Sequence, residues 1–395
     1  MLPAPPPGPA AVDWVARHLG HLACDEPRAS RLSGGQAAAD AALARLDLTG
    51  YARRRSQVLP LTARGASALS PYVRHGLLTL PQLWAAAGDA PPGDRTKYRD
   101  ELLWQEYARH LYARLGPDLA RSLRTEPPVT SGSGDDSPWR RDMACLDAVL
   151  DELDRDGWLV NQTRMWLASQ WTVRGGRDWR EGEDLLYRHL LDGSRAANRL
   201  GWQWTTGAGS AKPYAFSRWQ VEKRAPELCR SCALRTRCPV QEWPEATPGP
   251  RVPEPAGLAG GPTDAGPERP LLEGEPDTVW LTAESLGDGD PALAASPGLP
   301  AVFVFDEPLL ARLRLSGLRL VFLAQTLAEL DVEVRLGDPV QELAGRRLAV
   351  TFAPVPGFAR RRAALDVAAL HPWPWLRRPG SGSLRSYSAW ARRAA

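Results

Sequence analysis

Asn161, Arg164 and Met165 follow one another at i, i+3 and i+4, so a helix places an amide, a guanidinium and a thioether on one face. Trp158, three residues ahead of Asn161, adds an indole to that set. Glu101 and Trp104 stand at i and i+3, an acid beside a flat aromatic surface, and Asn198 and Trp202 at i and i+4. Trp202 and Trp204 are two apart and point in different directions, one able to face a buried group and the other a cleft. With Trp166, Trp171 and Trp179, these indoles fall between Gly157 and Trp204. Each indole N–H needs a partner, so the cluster suits stacking, electron transfer or base recognition better than core filling. A tryptophan-rich helical core is the plain alternative, and Glu101 taken alone reads as a surface acid.

The five cysteines make a second constellation. Cys229-x2-Cys232-x5-Cys238, with Cys145 84 residues upstream, offers three close thiols and one remote. Zinc and a four-iron, four-sulfur cluster both accept such ligands, and buried unliganded thiols are the alternative. Cys24 lies outside the set and is expected to be a spare buried thiol. The run from Gly207 to Lys212 suits phosphate, but it lacks a preceding strand and the spacing of a phosphate-loop glycine motif.

These residues need elements to carry them. From Ser33 to about Glu245 apolar residues recur three and four apart, broken at Pro91-Pro92-Gly93 and from Ser131 to Pro138, which predicts helices. Between Pro244 and Asp277 the composition turns to Pro, Gly, Glu and Thr, a flexible or partly extended linker. Short apolar runs at 278–281 and 301–305, a helix over 309–330 and runs at 332–334 and 348–350 then predict a small parallel-sheet α/β layer. A chain of 395 residues suits two domains: 1–246 helical with the cysteine cluster, 247–276 linker, and 277–395 α/β. The 49 basic and 46 acidic residues neither demand nor exclude a polyanionic partner. The opening MLPAPPPGPA lacks the features of a signal peptide, and no window reaches the apolar length of a membrane span, so a soluble cytoplasmic monomer is expected.

Five segments, in order, resemble the flavin-binding helical domain of the DNA photolyase/cryptochrome family: 68–76, 101–111, 157–169, 178–186 and 192–204. The resemblance implies FAD held by Tyr51, Ser67, Ala68, Leu69, Ser70, Tyr98, Trp158, Asp192, Gly193 and Ser194, with Asn198 at the flavin ring and Arg164 paired to Asp192. It assigns Glu101, Trp104, Asn161, Met165 and Trp204 to a flipped-out cyclobutane pyrimidine dimer. There the indoles stack, Met165 fills the gap and the polar pair bonds base edges. Trp202 and Trp179 match the inner two members of an electron-transfer row whose outer member has no counterpart. Arg53, Arg54, Arg55 and Arg74 would meet DNA phosphates. Ala66, Gln105, Ser194 and Arg199 depart from the family's usual residues.

Met143-Ala144-Cys145 and Lys212-Pro213-Tyr214 resemble the iron–sulfur bacterial branch, which favours a 4Fe-4S cluster on Cys145, Cys229, Cys232 and Cys238, with zinc as the alternative. Segments 279–295, 301–331, 332–343 and 382–393 resemble the family's antenna domain, which usually comes first, so its place here implies a circular permutation. It is shortened and lacks the Arg-rich opening after Trp280, which implies a cover for the flavin domain rather than a chromophore site. The expected function is light-driven repair of pyrimidine dimers in DNA. A cryptochrome-like photoreceptor is the rival, and an iron–sulfur nucleic-acid module without photochemistry is a third reading.

Overall fold

The computed structural model describes residues 1–131, 137–245 and 248–393. Its first part is helical: α1 Ala11–His18, α2 Gln36–Ala44, α3 Tyr51–Arg54, α4 Ser70–Arg74, α5 Leu80–Ala86 and α6 Pro92–Leu115. There follow α7 Ala144–Asp156, α8 Asn161–Ala168, α9 Trp179–His189, α10 Ala197–Thr206, α11 Arg218–Arg224 and α12 Pro226–Ser231. No described helix is long and apolar enough to cross a membrane. The Ser131 to Pro138 break includes residues 132–136, which lie outside the described set.

The second part is built on strands β1 Leu271–Leu272, β2 Thr278–Leu281, β3 Ala301–Asp306, β4 Val332–Gly337, β5 Leu348–Thr351 and β6 Val367–His371. They are joined through α13 Pro291–Ala295, α14 Glu307–Leu313, α15 Gly317–Leu327, α16 Pro339–Glu342 and α17 Phe358–Ala363, and the chain closes on α18 Tyr387–Arg393. The sheet order is β1-β6-β5-β2-β3-β4. Every described pairing is parallel except β1 with β6, so the expected parallel sheet is a mixed one. The antiparallel edge strand is just two exposed residues in a proline-rich stretch, too short to show a period of two.

The helix expected over 309–330 is two helices. Arg314 adopts a left-handed conformation, and the Ser316 hydroxyl then accepts the Arg319 N–H to start α15. Every residue of α15 is buried, because it lies between the sheet and the helical part. Its Arg319 crosses over, donating to the carbonyls of Tyr187 at 2.8 Å and Gly193 at 2.9 Å.

Packing crosses the expected division at both ends. One apolar core joins Trp14, Val15 and Leu19 of the N-terminal segment to Phe303, Phe305 and Phe322 of the sheet part, with Trp14 6.2 Å from Phe305. Another joins α6 to Leu258, Leu384 and Trp390. The linker is extended and docked rather than free: Arg251 pairs with Thr125, Leu258 is buried, and Leu271-Leu272 enters the sheet.

Candidate functional site: a cavity among helices and a four-cysteine pocket

A cavity of about 600 Å³ opens between α3, α4, α6, α8 and α10, a size usual for a small-molecule or cofactor site. Glu101 and Trp104 of α6, Asn161 and Met165 of α8, and Trp204 of α10 all line it. The helical spacings seen in the sequence thus converge from three directions. Asn161 Nδ2 lies 4.0 Å from Met165 Sδ, and Trp204 is 42% exposed at the mouth, 5.9 Å from Tyr214. Glu101 is held by Arg55 at 3.0 Å and Lys97 at 2.9 Å. Tyr387, from α18, stacks on Trp104 at 3.7 Å and leaves one indole face for the cavity. No local pattern could have revealed this contact, because its partners are 283 positions apart in the chain.

Tyr51, Ser67, Ala68, Leu69, Ser70, Tyr98, Trp158, Arg164, Asp192, Ser194 and Asn198 also line the cavity. Much of this wall is fixed by its own bonds. Arg164 donates to both oxygens of Asp192, at 3.0 and 2.8 Å, a bidentate pair with fixed orientation. The Trp158 N–H donates to Ser70 Oγ at 3.0 Å. Trp158 itself precedes α8, which starts at Asn161, so it reaches the wall from the approach rather than from the helix face. Asn198 Oδ1 accepts the Ser194 N–H at 2.9 Å, so its amide N–H groups are left for the cavity. Tyr51 and Tyr98 meet edge to face at 5.1 Å, and burial pushes the Tyr98 phenol up to about 12. Ala68 sits at φ 55°, a left-handed conformation costly for a residue with a Cβ.

Two expectations are corrected. Gly193 does not line the cavity: its carbonyl accepts from Arg74 at 2.7 Å and from Arg319, and a Cβ there would fall 2.3 Å from Arg319 Nη1. Arg74 is no surface cation, since it is bonded inside to Gly193 and to Glu284 at 2.7 Å. Arg55 faces Glu101 in the cavity, Arg54 bonds the Thr49 carbonyl, and Arg53 is exposed. Sequence reasoning missed Arg109 and Arg224, two further cations of the lining.

Trp202 stands in the cavity wall, fully enclosed, and its N–H has no partner among the described residues. At Gly182 a Cβ would meet Trp202 Cη2 at 2.4 Å and Trp171 Cδ1 at 2.8 Å, so the missing side chain lets two indoles press on one backbone. Trp171 lies 4.9 Å from the half-buried Trp139. A row of indoles therefore leads from cavity to surface. Trp179 is buried, donates to Ser122 Oγ at 3.2 Å and carries Arg180 over its ring at 4.6 Å. Trp166 stacks on Phe216 in the core.

Cys145, at the start of α7, meets Cys229, Cys232 and Cys238 around a small pocket walled by Met143, Val221, Leu228, Leu234 and Val240. Burial, and then the other three sulfurs, push the Cys145 thiol up to about 12, and burial likewise raises Cys229 to about 11. Among the described residues no three of these sulfurs lie mutually within 4.8 Å. Four thiolates on one zinc would stand about 3.8 Å apart. Cys24 is half-buried and remote from this pocket, not the buried spare thiol expected.

Residues 98–227 match the family described as the FAD binding domain of DNA photolyase. The chain is 32% identical over 160 residues to the deoxyribodipyrimidine photo-lyase of a Synechococcus species, covering 37% of this chain and 33% of that one. It is 34% identical over 234 residues to the enzyme of that name from Thermus thermophilus, covering 54% and 51%. A solved class III photolyase from Agrobacterium tumefaciens aligns with 26% identity over 50% of this chain and 44% of its own, with a TM-score of 0.44. The chain thus spans about half or less of the length of these relatives. Over residues 98–227 it is thus similar to the FAD binding domain of DNA photolyase.

Proposed function

We propose that the protein is a light-driven photolyase that repairs cyclobutane pyrimidine dimers in damaged DNA. The observation that carries this reading is the convergence of Glu101, Trp104, Asn161, Met165 and Trp204 on the same cavity as the flavin-type wall. Reduced FAD, when bound and lit, supplies the electron that opens the dimer's cyclobutane ring and takes it back, so there is no net oxidation.

The residues' own tasks follow from their chemistry. Trp104 and Trp204 offer flat surfaces to the two pyrimidines, while Met165 adapts to the gap between them. Glu101 accepts from, and Asn161 donates to, the base edges. The Arg164–Asp192 pair and Trp158 hold the cofactor pocket in shape, and the amide of Asn198 can meet a flavin ring nitrogen without adding charge. Trp202, in the wall, passes electrons inward from the surface, with Trp179 or the Trp171–Trp139 run completing the row. The exposed Arg53 side chain reaches phosphate, and Arg54 lies beside it.

The cysteine pocket is read as a 4Fe-4S site on Cys145, Cys229, Cys232 and Cys238, supported by the convergence of the four thiols on one small pocket. The domain reading is a flavin domain (1–246), a docked linker (247–276) and a circularly permuted α/β cover (277–395) without an antenna chromophore. The rival is a cryptochrome-like photoreceptor. A thymine-dimer oligonucleotide under blue light separates the two: protein with fully reduced FAD should restore the thymines, whereas flavin photoreduction without repair would overturn the enzyme reading.

A further inference from the structure

Three donor atoms of different chemistry meet where the N-terminal segment, the end of α9 and the α14–α15 turn come together. Cys24 Sγ, an Asp25 carboxylate oxygen and a His189 ring nitrogen all lie within 4.8 Å of one another. None of these residues lines the cavity or the four-cysteine pocket. Backbone bonds pin the junction: the Cys24 N–H donates to the Leu315 carbonyl at 3.1 Å, and the Ser316 N–H to the Arg188 carbonyl at 3.0 Å.

The donors are oriented but not used up. Asp25 Oδ1 accepts the Gly317 N–H at 2.6 Å, which fixes the carboxylate from behind, as outer partners of metal ligands do. Asp25 Oδ2 then faces His189 Nδ1 at 3.8 Å, too far for a hydrogen bond. His189 Nδ1 is enclosed and has no hydrogen-bond partner among the described residues, an unsatisfied group that asks for an explanation.

We propose that Cys24, Asp25 and His189 form a zinc-binding site, with water in the fourth position. Sulfur, nitrogen and carboxylate oxygen are the ligand types zinc takes, and three protein ligands with one open place is a common zinc arrangement. Magnesium and calcium would want oxygen alone. All three side chains are partly exposed, so solvent can fill the fourth place. Binding releases the Cys24 thiol proton, and the thiolate and carboxylate together neutralise the Zn²⁺ charge. The guanidiniums of Arg28, Arg188 and Arg314 nearby therefore do not oppose a net positive centre. Arg28 touches Asp25 Oδ2 through Nη1 alone, at 3.2 Å, while its Nε and Nη2 hold the Asp154 carbonyl at 2.9 and 2.6 Å. Zinc replaces that single contact and leaves Arg28 anchored. Such a site ties the N-terminal segment to the end of α9, three residues before the cavity's Asp192.

The test uses the full chain, freed of loosely held metal, and maps iodoacetamide labelling of each cysteine by mass spectrometry. One equivalent of Zn²⁺ should slow Cys24 labelling at least tenfold, and a chelator should restore it. His189→Ala and Asp25→Ala should remove the protection, and Co²⁺ should give a thiolate charge-transfer band that Cys24→Ala loses. Labelling of Cys24 unchanged by Zn²⁺, or protection undiminished in both variants, would overturn the proposal. If a variant fails to fold, the labelling of the unaltered chain decides alone.

Discussion

The cavity and the cysteine pocket lie in the same helical part, yet they are held in opposite ways. Around the cavity, side chains are satisfied before any guest arrives: Arg164 by Asp192, Trp158 by Ser70, Asn198 by the backbone N–H of Ser194, Arg55 by Glu101. Around the pocket, thiols face a mostly apolar wall that Arg218 and Arg235 also border, and burial raises Cys145 and Cys229 rather than readying them as free thiolates. A site built from internal bonds keeps its shape when empty. One built from converging thiols draws its stability from what they bind.

The largest expected effect breaks the pocket and spares the cavity. Cys229→Ala should abolish metal binding in that pocket and loosen α11 and α12, at a cost on the order of several kcal/mol. Hydrogen exchange should quicken over 218–241 while α6 and α8 keep their protection. Equal loosening of both regions would erase the contrast. Metal analysis adds to this, with about four irons and four sulfides per chain expected for the cluster. Stoichiometric zinc and no iron after anaerobic purification would replace the cluster reading.

Next comes Arg164→Ala, which strands the buried Asp192 carboxylate and should cost about 3–5 kcal/mol even in flavin-free protein. Urea unfolding measures it. An effect seen in flavin-loaded protein alone would mean that the wall is not prebuilt.

The cavity's outer wall depends on α18, and there the pH matters. His110 Nδ1 accepts the Trp390 N–H at 3.1 Å while its Nε2 meets the Arg377 carbonyl at 2.7 Å, a pattern that the neutral ring satisfies. Burial holds His110 down at about 4. With its folded pKa below the unfolded value of about 6.5, His110 contributes fully above that pH and loses its contribution as pH falls through 4, in all about 3 kcal/mol. Glu106, pushed up to about 7 by burial, works in the opposite sense, and its contribution fades as pH rises through that value. The difference between the unaltered chain and His110→Asn should therefore shrink from pH 7 to pH 4, as followed by thermal melting. A constant difference would remove the role assigned to the ring.

Smallest is Trp204→Ala at the exposed mouth. It should weaken binding of dimer-containing DNA by about 1–3 kcal/mol, the worth of one stacked base, with flavin content unchanged. Loss of flavin in that variant would place Trp204 in the wrong half of the site.

Part of the cavity was legible from spacing, because Asn161, Arg164 and Met165, and Glu101 and Trp104, stand at i, i+3 or i+4 and a helix turns that into a shared face; Tyr51, Ser67 to Ser70, Tyr98, Asp192 and Ser194 came from the resemblance alone. What escaped reading came from far along the chain. Tyr387 on Trp104, Arg319 on Gly193 and Glu284 on Arg74 all join the second part to the first. Arg74 was expected to meet DNA phosphates, and the carboxylate that holds it inside is 210 residues away in the chain. The strand at 271–272 was hidden because pairing with β6, not its own pattern, makes it a strand.

The central claim is that one cavity receives both the flavin and the dimer. Titrating a thymine-dimer oligonucleotide into flavin-loaded protein in the dark, while recording the flavin absorption, tests it most directly. The dimer should shift the flavin bands and the undamaged oligonucleotide should not. Tight binding of the dimer with an unmoved flavin spectrum, or equal shifts with both oligonucleotides, would contradict it.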